Sequence, residues 1–282
     1  TVTAAPDFAY RYVLRAGGDL ARFDCDSMRM ALVAAEPVRA RTIARFESAL
    51  GTPGVLRPGY GLAESCVAVT FFPLDRPDLK IDNNGIVSVG SPVAGTELSI
   101  RDTDGNRLAT GQQGEICLRS PSQTIGYFRN PHATAKLFTD DGAIRTGDLG
   151  YIDDEGMLTI VDRLKNIIIV SGRNVAPKEL EEIIETVPTV RLCMAVGVDR
   201  GGDGGEQVHI VVETQGDAPD STTQRALARQ VRTLLQARMG VRVQQVHWAR
   251  NGSIPRTYNG KLQYPTMRQR LVETGSCEAT QG

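Results

Sequence analysis

Hydrophobic positions recur along the chain at two spacings, and the changes between them mark its elements. Phe8, Tyr12 and Val13 fall at helical spacing in FAYRYVLRA and Gly17-Gly18 follow, which predicts a helix over 8–16. Met30–Val38 (MALVAAEPV) reads as a short buried strand ending in small residues, with Pro37 opening a helix. That helix carries Ile43, Phe46 and Leu50 on one face and closes at Gly51. GVLRPGYGLAES reads as strand, turn and helix start, and Pro73–Val93 carries the Pro, Asp and Asn-Gly signals of a surface loop and hairpin. ELSIRDTDGNRLATGQQGEICLRS alternates and turns at Asp104-Gly105, which predicts an antiparallel hairpin in a small barrel. Asn130 and Pro131 supply a cap and first turn for a short helix.

The pattern changes between Arg145 and Pro177, in RTGDLGYIDDEGMLTIVDRLKNIIIVSGRNVAP. This stretch reads as a turn carrying Asp148, a short hairpin, a charged crossing DRLKN, a second apolar strand and a loop that opens a helix. Beyond Lys165 the chain predicts a compact α+β domain. PKELEEIIETV is a helix with Pro177 in its first turn and Leu180, Ile183, Ile184 and Val187 inward. RLCMAVGV, QVHIVVET and VRVQQVHWA are strands, and STTQRALARQVRTLLQARM is a second helix. DRGGDGGEQ lacks the Lys-Ser/Thr ending of a phosphate loop and precedes a strand, so it reads as a hairpin turn. Residues after Thr274 read as a mobile tail.

Composition narrows the class. At 282 residues and 41% hydrophobic, the chain buries a core and makes more than one domain. Lys+Arg 32 against Asp+Glu 33 gives a net charge of -1 without long single-sign runs, so neither nucleic acid nor an anionic membrane is an expected partner. Cys25, Cys66, Cys117, Cys193 and Cys277 form no CxxC pair and suit a reducing, cytoplasmic setting. His132, His209 and His247 do not show metal spacing, and no apolar run approaches the roughly 20 residues that span a bilayer.

The chemistry concentrates around a few charged residues set in glycine turns. Asp148 lies between Gly147 and Gly150, where a fixed carboxylate can accept two hydroxyls of a vicinal diol such as a ribose. Arg163 and Lys165 follow a strand at spacing two and would share a face if the strand continued. Tyr60, flanked by Gly59 and Gly61, offers a ring that can stack on a purine, and Glu64 follows four residues on. Lys261 follows a Pro, a turn and Gly260. A solvated strand end or turn is the plain alternative for each of these taken alone.

Taken together, RTGDLGYID, VDRLKNIIIVSGRN, GYGLAES and GSIPRTYNGK resemble the adenylate-forming superfamily of acyl-CoA synthetases, luciferases and adenylation domains, most of all its fatty acyl-AMP ligase branch. The resemblance implies an α/β and α+β architecture: the C-terminal part of a large adenylate-forming domain over 1–163, with sheet and helix layers and a small β-barrel, a small mobile lid over 164–273, and a tail over 274–282. The family's Ser/Thr/Gly-rich phosphate loop finds no counterpart here, so the chain resembles the C-terminal part of such an enzyme, either truncated or naturally split from a separate N-terminal portion.

The implied activity is ATP-dependent conversion of a fatty or related carboxylate to acyl-adenylate with release of pyrophosphate, followed by transfer to the phosphopantetheine of an acyl carrier protein or, alternatively, to CoA. By the same resemblance Ala34, Ala35 and Glu36 lie beside adenine, although Val33-Ala34 replace the usual Asn-Gly. Tyr60 and Gly61 pack on adenine, and Glu64 helps hold Mg2+ on the phosphates of ATP. Asp148 and Arg163 hold the ribose of the bound AMP moiety, Lys165 is the hinge, and Lys261 is the catalytic lysine reaching the carboxylate and α-phosphate. Phe8 to Val13 border an acyl tunnel, Gly126-Tyr127 match a segment near the ligand or serve packing, and the 73–93 segment lies near an insertion that limits the domain movement needed for CoA. GRNVAP favours the carrier protein as acceptor. A noncatalytic adenylate-binding or carrier-docking fragment is the rival reading.

Overall fold

A computed structural model describes residues 1–275 apart from 17–18, 77, 84, 171, 200–204, 217–218 and 258–260. The chain divides into two compact units, Thr1–Leu164 and Lys165–Gly282.

In the first unit, β1 (Val2–Ala5), α1 (Asp7–Ala16), β2 (Met30–Val33), α2 (Ala40–Leu50), β3 (Leu56–Tyr60), β4 (Thr70–Phe71) and β5 (Ser91–Pro92) build a sheet in the order β1-β2-β3-β4-β5. The first three strands are parallel and the last two antiparallel to their neighbours. The strand β1 has no counterpart in the sequence reading; its VTAA carries one apolar position of any size, too little for periodicity to register.

The helix α1 forms where expected, but a different face is buried. Tyr10 packs edge-to-face on Phe46 at 4.9 Å between centroids, whereas Tyr12 is 59% exposed and Val13 39%. The helix is rotated by its first residue: Asp7 is fully buried, accepts the Arg39 backbone N–H at 3.2 Å and pairs with Arg11 and Arg39. The Gly17-Gly18 stop lies outside the described residues. Pro37 does not open α2; the cap is Arg39, and Ile43 and Phe46 are buried before Gly51 ends the helix at φ +72°.

A second sheet in this unit is antiparallel throughout, in the order β6-β7-β8-β9. It comprises β6 (Glu97–Arg101), β7 (Gly114–Arg119), β8 (Ile144–Ile152) and β9 (Leu158–Arg163), with α3 (Pro131–Leu137) before β8. Asn130 accepts the Ala133 N–H at 3.0 Å and Pro131 sits in the first turn of α3, as its sequence indicates. The segment 73–93 is only half a surface loop. Ile86, Val87 and Val89 are buried, and Val89 N–H donates to Leu158 of β9, so the run after Gly85 joins the two sheets.

The second unit contains the hairpin β10 (Ile168–Val170) and β11 (Arg173–Val175), α4 (Pro177–Ile184), β12 (Val190–Val198), β13 (Gln207–Thr214), α5 (Ser221–Met239), β14 (Val243–Trp248) and α6 (Tyr264–Thr274). The three long strands form a sheet in the order β12-β13-β14, β12 antiparallel and β14 parallel to β13.

Alternation sorts the residues of this sheet between two cores. Cys193, Ala195, Val208, Ile210 and Val212 face Leu180 and Ile184 of α4 and Leu227, Val231 and Leu235 of α5. Leu192, Met194, Val196, Val198 and Val211 face Met267 and Leu271 of α6. The sequence reading missed α6, although Pro265 in its first turn and Met267 four residues before Leu271 are its signature. Glu181 of α4 ties these layers: its carboxylate accepts the Ala195 N–H and the Tyr264 hydroxyl, each at 3.0 Å. His209 and His247, 38 residues apart, meet on neighbouring strands with Nδ1 and Nε2 at 2.9 Å.

Candidate active site

The acid at the centre of the sequence argument is held by a strand, not by a tight turn. β8 runs through RTGDLG, and the ladder to β7 matches Arg145 with Cys117 and Leu149 with Glu115. Thr146, Gly147 and Asp148 therefore stand against the single residue Ile116, which makes this a bulge, and Gly147 supplies its left-handed backbone at φ +69°. Thr146 locks the bulge: its hydroxyl donates to the Ile116 carbonyl at 2.7 Å and accepts the Asp148 N–H at 3.1 Å.

The bulge turns Asp148 toward two partners. Its carboxylate is 4% exposed by residue; Oδ1 lies 2.6 Å from Nε of Arg163, its partner across the β8–β9 ladder, and Oδ2 accepts the Tyr60 hydroxyl at 2.5 Å. Burial, then the adjacent Asp148 charge, pushes the Tyr60 phenol above its ordinary range and so favours the protonated form that donates to Asp148. The Tyr60 ring packs among Val69, Leu118 and Val89. These two bonds, one on each oxygen, fix the orientation in which the carboxylate is presented. The Arg163 side chain is half exposed and also reaches the Thr146 carbonyl. The strand ends at Arg163 and Leu164–Asn166 form a 3-10 turn, so Arg163 and Lys165 do not share a strand face.

Gly61 is required by a close approach: a Cβ there would lie 1.2 Å from the Val67 carbonyl oxygen. The chain folds back on itself at this point, with the Val69 N–H donating to the Tyr60 carbonyl. Glu64 follows in a short 3-10 turn, Ala63–Ser65, rather than at a helix start. Its Oε1 accepts the Tyr127 hydroxyl at 2.5 Å and its backbone carbonyl accepts the Thr124 N–H at 2.7 Å. The bond to Glu64, and then burial, raises the Tyr127 phenol. Tyr127 thus steers Glu64, a role that its place in Gly126-Tyr127 did not disclose. Among the described residues no three His, Cys, Asp or Glu side chains gather as a metal cage. One oriented carboxylate with a free oxygen is the donor set for a Mg2+ held chiefly by nucleotide phosphates, so these residues fit that ion.

Ala34, Ala35 and Glu36 leave the carboxyl end of β2. Because β2 and β3 are parallel, with Val33 opposite Pro58, these residues and Gly59–Gly61 emerge at the same end of the sheet, where open α/β sheets take ligands. Ala35 has φ +68°, and Glu36 Oε1 accepts the Phe8 N–H at the start of α1. Burial raises the Glu36 carboxyl. Lys165 and Lys261 are exposed in the second unit, the latter closing its loop through Thr257, whose N–H donates to the Lys261 carbonyl at 2.8 Å and whose hydroxyl accepts the Lys261 N–H at 3.0 Å. Gly260 lies outside the described residues.

A family model described as AMP-binding enzyme matches residues 1–128, and that of the AMP-binding enzyme C-terminal domain matches residues 172–264. The chain belongs to the AMP-binding enzyme family. Its curated relatives include the long-chain-fatty-acid–CoA ligase of Escherichia coli O157:H7, 38% identical over 68% of this chain and 32% of the relative. The Yersinia pestis protein of the same description is 33% identical over 93% and 43%. Among solved structures, ATP-bound MatB from Rhodopseudomonas palustris has TM-score 0.83 at 28% identity over 97% of this chain and 51% of that one. A structure from work on fatty acyl-adenylate ligases of E. coli and L. pneumophila has TM-score 0.79 at 26% identity over 95% and 52%. The chain thus spans from 32% to 43% of these curated relatives. In this member of the AMP-binding family, Ala34–Glu36, Tyr60, Gly61 and Glu64 fall within the first matched stretch and Lys261 within the second, while Asp148, Arg163 and Lys165 lie between the two.

Proposed function

We propose that this chain contributes the ribose, adenine and lid residues of an enzyme that activates a fatty or related carboxylate with ATP. The observation that carries the reading is the buried Asp148 carboxylate, oriented by Tyr60 on one oxygen and Arg163 on the other, a fixed acid of the kind that takes the hydroxyls of a vicinal diol. Asp148 accepts the ribose hydroxyls, and the planar Arg163 fork adds donors toward the same sugar. The segments Ala34–Glu36 and Tyr60–Gly61 border the adenine. Glu64, oriented by Tyr127, would hold Mg2+, which when bound adds positive charge at the phosphate oxygens.

In the reaction a carboxylate oxygen attacks the α-phosphorus in line. The new O–P bond forms as the bond to pyrophosphate breaks, and the developing negative charge is met by the Lys261 ammonium. The first unit is read as the C-terminal part of the AMP-binding domain and the second as its lid, with Lys165 as hinge between adenylation and acyl transfer. Transfer then goes to a phosphopantetheine thiol. GRNVAP supports a carrier protein as its bearer; CoA is a second reading, favoured by the curated relatives' description as CoA ligases.

The test is carboxylate-dependent acyl-AMP formation from ATP by this chain, by a form extended at its N-terminus, and by Lys261→Ala in whichever is active. Activity abolished by Lys261→Ala supports the reading. A folded extended form that binds AMP yet makes no adduct from any of a broad panel of acids favours a noncatalytic adenylate-binding module. Competition between CoA and a carrier protein for the adduct assigns the acceptor.

A further inference from the structure

The solvent face of α5 obeys a different rule from the rest of the chain. Over Ser221–Met239 it has no Asp or Glu, and Arg225, Arg229, Arg232 and Arg238 are all exposed. Spacings of four and three put Arg225, Arg229 and Arg232 on one stripe, opposite the buried Leu227, Val231 and Leu235. Across from this stripe Arg242, just before β14, joins Arg232, Thr233, Gln236 and Gln244 around a groove of about 650 Å³.

Among the described residues, Arg229, Arg232, Arg238 and Arg242 form no ion pair, and Arg225 reaches only the Thr222 hydroxyl at 3.5 Å. Like charges at this spacing each cost a few tenths of a kcal/mol on a helix, about 0.2–0.5. In a chain of net charge -1, with acids as numerous as bases, such an uncompensated stripe departs from the local pattern, and departures of this kind mark function.

We propose that the exposed face of α5, with its groove beside β14, docks an acidic helix on a protein partner. The stripe from Arg225 to Arg232 is two helical turns, roughly 10 Å, long. That exceeds one phosphate and matches carboxylates at i, i+4 and i+7 of a second helix. Arg232, Thr233, Gln236, Arg242 and Gln244 bring guanidinium, hydroxyl and amide groups that hydrogen-bond carboxylates to the groove, and Ala237 and Val243 give it an apolar floor on which the stem of a Glu side chain can lie. No aromatic ring stands among these residues to stack a base, and the apolar stripe of α5 is buried, leaving none to enter a lipid interface. The inference does not depend on the catalytic reading.

The test titrates the full chain with a fluorescently labelled helical peptide bearing Glu at i, i+4 and i+7, and with its Gln counterpart. The Glu peptide is expected to bind about tenfold or more tightly than the Gln peptide, and to weaken as salt rises. Combined Arg225→Glu, Arg229→Glu and Arg232→Glu abolishes that binding. The triple Arg→Gln version, with circular dichroism unchanged, loses it too. Equal binding of both peptides, full binding by the folded Gln variant, or saturation by phosphatidylserine vesicles or duplex DNA with no binding of the Glu peptide overturns the proposal.

Discussion

Tyr60 donates its hydroxyl to Oδ2 of Asp148 at 2.5 Å, joining residues 88 apart in sequence, while Arg163 holds Oδ1. The pair is asymmetric: Asp148 serves as acceptor for everything around it, and Tyr60 serves to aim it. Asp148→Asn removes the charge that Arg163 faces and replaces acceptor positions with N–H donors. AMP affinity, measured by calorimetry, should fall by about 2 kcal/mol, roughly thirtyfold. Tyr60→Phe leaves the carboxylate and its ion pair in place and should cost less than half of that. A larger loss for Tyr60→Phe than for Asp148→Asn would place the nucleotide elsewhere.

The same contact gives the first unit an alkaline limit. The folded-state phenols of Tyr60 and Tyr10 are raised, that of Tyr10 by burial from 10.0 to about 12. A raised value means that the unfolded chain ionises first, so their stabilisation is fully present below pH 10 and is lost as pH climbs through the folded values. Denaturant melts between pH 8 and pH 11.5, followed by a probe in the first unit, should show falling stability above roughly pH 10. Tyr60→Phe should be less sensitive to pH across that interval, whatever its stability at neutral pH.

Gly61 makes a steric prediction. Because a Cβ would sit 1.2 Å from the Val67 carbonyl oxygen, Gly61→Ala must move backbone against backbone. A loss of about 2–4 kcal/mol and misplacement of Tyr60 are expected, read as a lower Tm together with weaker AMP binding. Unchanged Tm would mean that the 61–69 fold-back is not as tight as its geometry requires.

The long periodic elements of the chain were open to reading because burial imposes their pattern directly. The core faces of α2 and α4, and the strands now seen as β12, β13 and β14, follow from where Ile, Leu and Val fall. The errors have specific causes. Asp7, a charged residue buried against Arg11 and Arg39, set the face of α1, and apolar spacing could not anticipate it. RTGDLG looked like a turn because Gly147 does need a left-handed backbone, but a bulge asks for the same thing within a strand. At the candidate site, Asp148 and Arg163 were legible as residue types in context. Their pairing with Tyr60, and that of Tyr127 with Glu64, depended on contacts between segments that sequence order keeps far apart.

In the second unit, Glu181→Ala removes the carboxylate that accepts the buried Ala195 N–H and the Tyr264 hydroxyl. A buried donor left unsatisfied costs about 1–3 kcal/mol. The Ala195 N–H is such a donor, so a loss of about 1–3 kcal/mol is expected, with hydrogen exchange rising in α6, which Tyr264 opens, before α5. Equal acceleration in both helices would mean that Glu181 does not serve chiefly to seat α6.

Lys261→Ala separates chemistry from folding. The side chain is exposed, so Tm should move by less than about 0.5 kcal/mol equivalent, while acyl-AMP formation by an active form should drop by about a hundredfold or more. Loss of activity accompanied by an equal loss of folded protein would remove Lys261 from the catalytic assignment.

The order of the first sheet has a practical consequence. Among the described residues β1 bonds to β2 on one side and to no strand on the other. Its Val-Thr-Ala-Ala segment has neither a proline, a lysine nor a bulge to discourage a newcomer. That side of β1 is where a further strand can add, whether from the same protein or from a second copy, and Thr3→Pro, which removes a backbone donor, should weaken whichever pairing forms there.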